Sequence, residues 1–250
     1  MKNAYCMVSI APVRSEASDR AEIVTQLLFG EVVSIEHADK PWAKIKTYSD
    51  NYEGFVDIKH LRPLSPKEVN RWLDGISYLP DLVQEIETPW GKQLIFKGSF
   101  IPYNTSGEFM IGNDLFTIKD PANHTLKRDP FELASEYLNA PYLWGGKTPF
   151  GIDCSGLTQM VFRFLDINLP RDASQQVEYG RTVPFQSTES GDVAFFQNIN
   201  GRIIHVGILN GQGAIIHASG MVRIDQLTEE GIVHSNSGAL THNLSCIRRM

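Results

Sequence analysis

At 250 residues the chain exceeds the roughly 100 to 150 residues of a common single domain, so two or three domains are expected. Hydrophobic residues make up 42% and charged residues 21%, enough apolar material for buried cores and too little polarity for a disordered chain. A net charge of -6 with no long basic run excludes a general nucleic-acid binder, which neutralises phosphates with clustered Lys and Arg.

From Tyr5 to about Leu64, short β-prone runs alternate with turn residues: 6–10, 21–28, 32–37, 42–47 and 54–58. Strands this short and closely spaced predict a small barrel. Between 65 and 80, Pro66, Trp72, Leu73, Ile76 and Leu79 predict a short connecting helix. A second β-rich stretch follows, with runs at 82–86, 91–96, 108–111 and 114–117 broken by turns at Thr88-Pro89, Asn104-Thr105 and Gly112-Asn113. It predicts a second small barrel.

The texture changes at about residue 126, with helices first and strands later. Asp129-Pro130 opens a helix as cap and first-turn proline. Cys154 opens another, where Leu157, Met160, Val161, Phe164 and Leu165 recur at helical spacing and Asp153 stands in the capping position. Runs at 192–196, 202–209, 213–219, 221–224 and 244–249 predict an antiparallel sheet.

Three cysteines, Cys6, Cys154 and Cys246, lack any Cys-x-x-Cys spacing, which argues against a disulfide framework and a structural zinc site. Chemistry concentrates at Cys154. Backbone N–H groups and the positive end of the helix dipole stabilise a thiolate at a helix start, which predicts a lowered thiol pKa. A lone cysteine is as readily a buried small hydrophobe. His205 and His217 flank the hairpin turn Asn210-Gly211-Gln212-Gly213, and centring that hairpin on Gly211 places them directly opposite on one face. Either alone is readily a structural histidine. Together with a helix-start cysteine they form a nucleophile, a base and an orienter, with His217 fixing the tautomer of His205.

Two resemblances sharpen this reading. Ala11-Pro12-Val13-Arg14, Leu27-Leu28-Phe29-Gly30-Glu31 and Tyr52-Glu53-Gly54-Phe55-Val56 resemble the bacterial SH3 domain. Ala140-Pro141-Tyr142-Leu143-Trp144-Gly145-Gly146, then Gly151-Ile152-Asp153-Cys154-Ser155-Gly156, His205-Val206-Gly207-Ile208 and His217-Ala218-Ser219 resemble the NlpC-type papain-like cysteine peptidases of cell-wall metabolism, with four motifs in order over residues 126 to 250. The resemblance implies an α+β fold: a papain-like catalytic domain with antiparallel sheet and helices (126–250), preceded by two small SH3-like β-barrels (1–64, and 65–125 with its connector). It implies Cys154 as nucleophile, His205 as base, His217 as third polar residue and Tyr142 as a helper at the oxyanion position.

The domain order resembles the γ-D-glutamyl-L-diamino acid endopeptidases, which cut peptidoglycan stem peptides. That implies L-Ala-γ-D-Glu-diamino acid peptides as substrates, with Glu31, Tyr52 and Asp153 receiving the free ammonium, and Ser155, Arg171 and Asp172 lining the pocket, Arg171 facing the α-carboxylate of D-Glu. On their own, Glu31 and Tyr52 read as turn and packing residues, Asp153 as a helix cap, and Arg171-Asp172 as a surface ion pair worth roughly 0 to 1 kcal/mol. Neither metal nor organic cofactor is implied. No window approaches the roughly 20 apolar residues of a membrane span and no secretory leader is visible, which predicts a cytoplasmic enzyme in cell-wall peptide recycling with no nucleic-acid or membrane partner. A chain lacking its leader would look identical. The oligomeric state stays open, with a monomer as the default. An amidase or acyltransferase would keep the same cysteine and histidines, and a decayed catalytic domain would leave a wall-peptide binding protein.

Overall fold

A computed structural model of the chain describes residues 2–103, 107–119 and 129–250. The chain divides into two compact units, residues 1–126 and 127–250. The predicted turn at Asn104-Thr105 and the predicted boundary near residue 126 lie outside the described residues.

In the first unit, seven antiparallel strands form one sheet in the order Ile23–Leu28, Ile10–Arg14, Glu53–Asp57, Trp42–Thr47, Val32–Asp39, Lys2–Cys6, Leu61–Leu64. Alternation fills its interior: Ala11 and Val13, Ala43 and Ile45, and Val56 all point inward with Ala4, Cys6, Leu27, Val33 and Leu61, as period-2 strands require. The single strand predicted over 6–10 resolves into two, Lys2–Cys6 and Ile10–Arg14, on either side of a turn.

The predicted connector is the helix Pro66–Leu73, opened by a reciprocal capping box between Ser65 and Glu68, a device worth about 0.5–2 kcal/mol at its cap residue. Beyond it, Gly91–Phe96, Val83–Thr88, Asp114–Ile118 and Glu108–Ile111 make a four-stranded sheet, and Phe100–Pro102 pairs with Ile76–Tyr78. The core beneath them also takes Tyr5, Val32 and Leu64 from the strands of the first sheet, Phe29 from a turn between two of them, and Trp72 from the helix. Residues before and after the boundary expected at 64 therefore share one apolar interior. Gly30 permits this closeness: its φ is +80°, and a Cβ there would stand 2.7 Å from the Phe100 carbonyl oxygen.

In the second unit the helix Pro130–Ser135 is capped by Asp129, whose carboxylate accepts from the Phe131 and Glu132 N–H groups. The helix Cys154–Arg163 begins where predicted, capped by Asp153. The sheet runs Arg181–Thr182, Leu240–Arg249, Ser190–Gln197, Ile203–Asn210, Ala214–Ser219, Met221–Leu227, Gly231–Val233. Gly231–Val233 also pairs back onto Leu240–Arg249, so six of the seven strands curl into a closed ring. Several of these strands outrun the predictions: Ser190–Gln197 passes both ends of 192–196, Met221–Leu227 continues past residue 224, Leu240–Arg249 begins before 244, and Arg181–Thr182 and Gly231–Val233 have no predicted counterpart. The helix Cys154–Arg163 packs on Ile203–Asn210 and Ala214–Ser219, bringing the cysteine to the strands that carry the histidines. No helix among the described residues is long and apolar enough to cross a membrane.

Candidate active site

Cys154 is the first residue of its helix and 7% exposed. The approach that fixes it runs through Asp153, whose carboxylate accepts five donors: Gly156 N–H at 2.7 Å, Gly145 N–H at 2.7 Å, Arg171 Nη1 at 2.9 Å, Arg171 Nη2 at 2.5 Å and Ser155 Oγ at 3.4 Å. Gly156 is obligatory here, because a Cβ would stand 2.3 Å from the Gly146 carbonyl oxygen. The helix start is thus locked onto the turn that precedes it.

The predicted lowering of the thiol pKa does not occur. Burial and the negative charge of Asp153 push the Cys154 thiol up to about 12, outweighing the backbone groups of Val206 and Ser155 and the Arg171 charge that pull it down. Desolvation is the largest cause because a nearly enclosed thiolate loses its water. The contribution from the Val206 backbone also places the sulfur against the strand that carries His205.

His205 and His217 leave the sheet on one face, 5% and 1% exposed. They are diagonal rather than directly opposite: His217 faces Gly207 across the strands, and Leu209 faces Ile215. The hairpin is centred one residue later than expected, because Asn210 accepts from the Gln212 and Ala214 N–H groups and closes the turn around that centre. The resulting slip is even, so both rings stay on the same face; an odd slip would have sent one to the other. Gly207 leaves that close packing possible, since a Cβ there would stand 2.7 Å from Cδ1 of Ile215 and 2.9 Å from Cβ of His217.

Nε2 of His205 lies 2.7 Å from Nδ1 of His217. That bond leaves Nδ1 of His205 as the nitrogen available to a reacting group. Burial drives both rings to the neutral state, His205 well below its ordinary value and His217 to about 4 despite the opposing pull of Asp225. The shifts of Cys154 and His205 both favour the neutral thiol and the neutral imidazole. His242 stacks on His205 with ring centroids 4.2 Å apart at 24°, which holds the plane of the base.

Residues 139–240 match the NlpC/P60 family, and residues 13–61 match the bacterial dipeptidyl-peptidase SH3 domain. The chain carries an NlpC/P60 domain. It is similar to a gamma-D-glutamyl-L-lysine dipeptidyl-peptidase of Bacillus subtilis (strain 168), 26% identical over 78% of this chain and 72% of the relative. It is also similar to dipeptidyl-peptidase 6 of Lysinibacillus sphaericus, 26% identical over 96% of this chain and 97% of the relative. An NlpC/P60 family protein from Bacillus cereus ATCC 10987 shares the fold, with a TM-score of 0.82 at 18% identity over 99% of both chains. The fold is papain-like with antiparallel sheets, preceded by an SH3-like domain, and the protein is an enzyme of the cysteine peptidase type.

Within the NlpC/P60 domain, Tyr142 sits half-buried on the segment leading to Cys154, its backbone N–H donating to the Gly220 carbonyl at 2.9 Å. Burial, with the acidic groups of Cys154 and Asp153, pushes its hydroxyl up to about 12, so it keeps its proton and can donate. Arg171 is not the surface residue that its sequence setting allows. It is 1% exposed, both Nη atoms engage Asp153, and Nη1 also donates to Ser155 Oγ at 2.9 Å. A substrate carboxylate would meet a guanidinium already committed to the helix start, and a substrate ammonium would have to share the carboxylate of Asp153. Asp172 opens the short helix Ala173–Gln176 without a side-chain cap bond.

The remaining two predicted residues belong to the first unit. Glu31 is 2% exposed and accepts the Leu28 N–H at 3.2 Å, and Tyr52 is half-buried with its N–H donating to Thr47 Oγ1 at 2.9 Å. Three residues near the site escaped the sequence reading. Gln176 donates to the Ser155 and Pro170 carbonyls and meets Thr158 Oγ1; His242 stacks on the base; Asp225 lies 3.1 Å from His217. A polar residue one step past the last predicted strand position was the available signal for Asp225. Among the described residues, no group of three or more His, Cys, Asp or Glu side chains is arranged to hold a metal ion.

Proposed function

We propose that the protein hydrolyses the γ-D-glutamyl to L-diamino acid bond of peptidoglycan stem peptides that carry a free N-terminal L-Ala. The observation that carries this reading is the helix-start cysteine packed against a strand whose histidine is bonded, ring to ring, to a second histidine. The names of the two relatives support the bond: one is a gamma-D-glutamyl-L-lysine dipeptidyl-peptidase, and both are dipeptidyl-peptidases, a class that counts from a free amino end.

Sγ of Cys154 attacks the γ-carbonyl carbon as its proton passes to Nδ1 of His205, giving a tetrahedral oxyanion and an imidazolium. The Cys154 N–H at the helix start and the Tyr142 hydroxyl are the donors suited to that oxygen, and such donors are worth most in a dry site. His205 then gives its proton to the departing amine of the diamino acid as the C–N bond breaks. Water, activated by the same imidazole, cleaves the thioester and returns the proton to sulfur. Dependence on a free amine confines the enzyme to peptides already released from the glycan, which fits cell-wall peptide recycling.

Digestion of L-Ala-γ-D-Glu-diaminopimelate beside its N-acetylated form, with products identified by mass, tests the reading. Release of L-Ala-γ-D-Glu from the free peptide alone is expected. Cleavage at another bond would overturn the bond assignment, and equal cleavage of both peptides would remove the requirement for the amine.

A further inference from the structure

The bonded rings do not end at His217. Its Nε2 lies 3.1 Å from Oδ2 of Asp225 on the neighbouring strand Met221–Leu227, and that carboxylate is 3% exposed. The second oxygen, Oδ1, accepts the Ser235 backbone N–H at 2.9 Å and Arg223 Nη2 at 2.9 Å. Two fixed donors on one oxygen leave the other aimed at the imidazole.

We propose that Asp225 is a positioning residue that sets the tautomers of both histidines and so makes Nδ1 of His205 the basic lone pair. This rests on the peptidase reading, which gives that nitrogen its task. The deduction uses only donor and acceptor counts. An ionised carboxylate only accepts, so Nε2 of His217 carries the hydrogen. In a neutral ring Nδ1 is then a lone pair, and Nε2 of His205, 2.7 Å away, must donate to it. Nδ1 of His205 is left without a proton. The opposite order would put an N–H at Nδ1 of His205, where no proton could be received from sulfur.

The charge states hold this order in place. Asp225 is kept ionised, its carboxyl lowered to about 2 by Ser235, His217 and Arg223 against the cost of burial. His217 stays neutral down to about 4. Throughout the neutral range one arrangement of protons satisfies all three side chains.

Asp225→Asn tests this without changing the size of the side chain. Its amide oxygen belongs at the Oδ1 position, where Ser235 and Arg223 both donate, so its NH2 group faces Nε2 of His217. Two donors cannot face each other, and His217 must move its hydrogen to Nδ1. His205 then accepts at Nε2 and carries its hydrogen at Nδ1, so the variant holds the base in the wrong tautomer. In a serine protease the equivalent replacement costs about 10⁴ in kcat with the geometry intact.

For Asp225→Asn, kcat on L-Ala-γ-D-Glu-diaminopimelate is expected to fall by at least about 10²-fold with KM nearly unchanged and the thermal midpoint retained. In ¹⁵N spectra of ring-labelled protein, the protonated nitrogen should shift from Nε2 to Nδ1 in both histidines. An unchanged kcat in the folded variant would overturn the proposal, as would a wild-type spectrum showing His205 protonated at Nδ1. That spectrum needs neither turnover nor a folded variant. Wild-type protein that leaves the peptide intact would refute the peptidase reading instead, while the ring spectra still decide the role of Asp225.

Discussion

The two sides of the active site are built from opposite materials. Around Cys154 the structure uses buried charge: a carboxylate and a guanidinium, both almost fully enclosed, fasten the helix start to the turn before it. Around His205 it uses neutral rings, a bonded pair with a third ring stacked on the first, and keeps its charge one ring further out at Asp225. The cysteine side is contiguous, most of it within residues 142 to 156, whereas the histidine side is assembled from separate strands. On the cysteine side charge holds the backbone; on the other side it stands behind the rings, which themselves stay neutral and keep a lone pair ready for a proton. Damage to the ion pair of Asp153 and Arg171 should therefore appear mainly as lost stability, and damage to the reacting sulfur or the rings mainly as lost chemistry.

The largest effect expected is the loss of all measurable turnover in Cys154→Ala, with the thermal midpoint close to that of the parent, because the substitution removes the nucleophile and only one small buried atom. A variant that still hydrolyses the stem peptide would show that this sulfur is not the nucleophile the ion pair holds in place. Arg171→Ala should act in the other direction. It leaves Asp153 buried without its countercharge, a situation that costs about 3–5 kcal/mol, and chemical denaturation should read it as a lowered midpoint. A loss below about 1 kcal/mol, the range of exposed pairs, would show that the guanidinium is dispensable to the helix start.

The smallest effect is a dependence of stability on acidity. His217 binds its proton at about 4 when folded and near 6.5 when exposed. The unfolded chain therefore takes up the proton first, so stability is complete above pH 6.5 and declines as pH falls from 6.5 to about 4. The slope is about 1.4 kcal/mol per pH unit for each such histidine. Thermal midpoints measured across that window should fall steadily in the parent protein and less steeply in His217→Asn. Equal slopes would mean that the ring is not held neutral by burial.

The cysteine side was legible because it is local. Asp153 before an apolar helical run marks both cap and nucleophile, and Gly146, Gly151 and Gly156 mark the close approaches around them. The shared face of His205 and His217 was also legible, since period-2 alternation survives any even slip. Three features were not. The register depends on two bonds to the Asn210 side chain, which strand periodicity does not encode. Asp225 and His242 sit in strand residues just outside the predicted runs, where the apolar pattern had faded. The direction of the thiol shift was misjudged because a helix start favours a thiolate only where the sulfur meets water or countercharge, and here enclosure dominates. In the first quarter, turn residues revealed the strands, but nothing local revealed that Tyr5, Phe29 and Val32 serve a core shared with Phe116.

Gly207 carries a lesson for anyone wishing to transplant this machinery. Across the strands from His217, the space that a methyl group would need is already taken by Cδ1 and Cγ1 of Ile215 and Cβ of His217. An engineer grafting two imidazoles onto another antiparallel scaffold would first have to keep such a position bare, since any side chain there would push the neighbouring isoleucine and the second histidine out of place. The most economical ingredient of the base is a missing side chain.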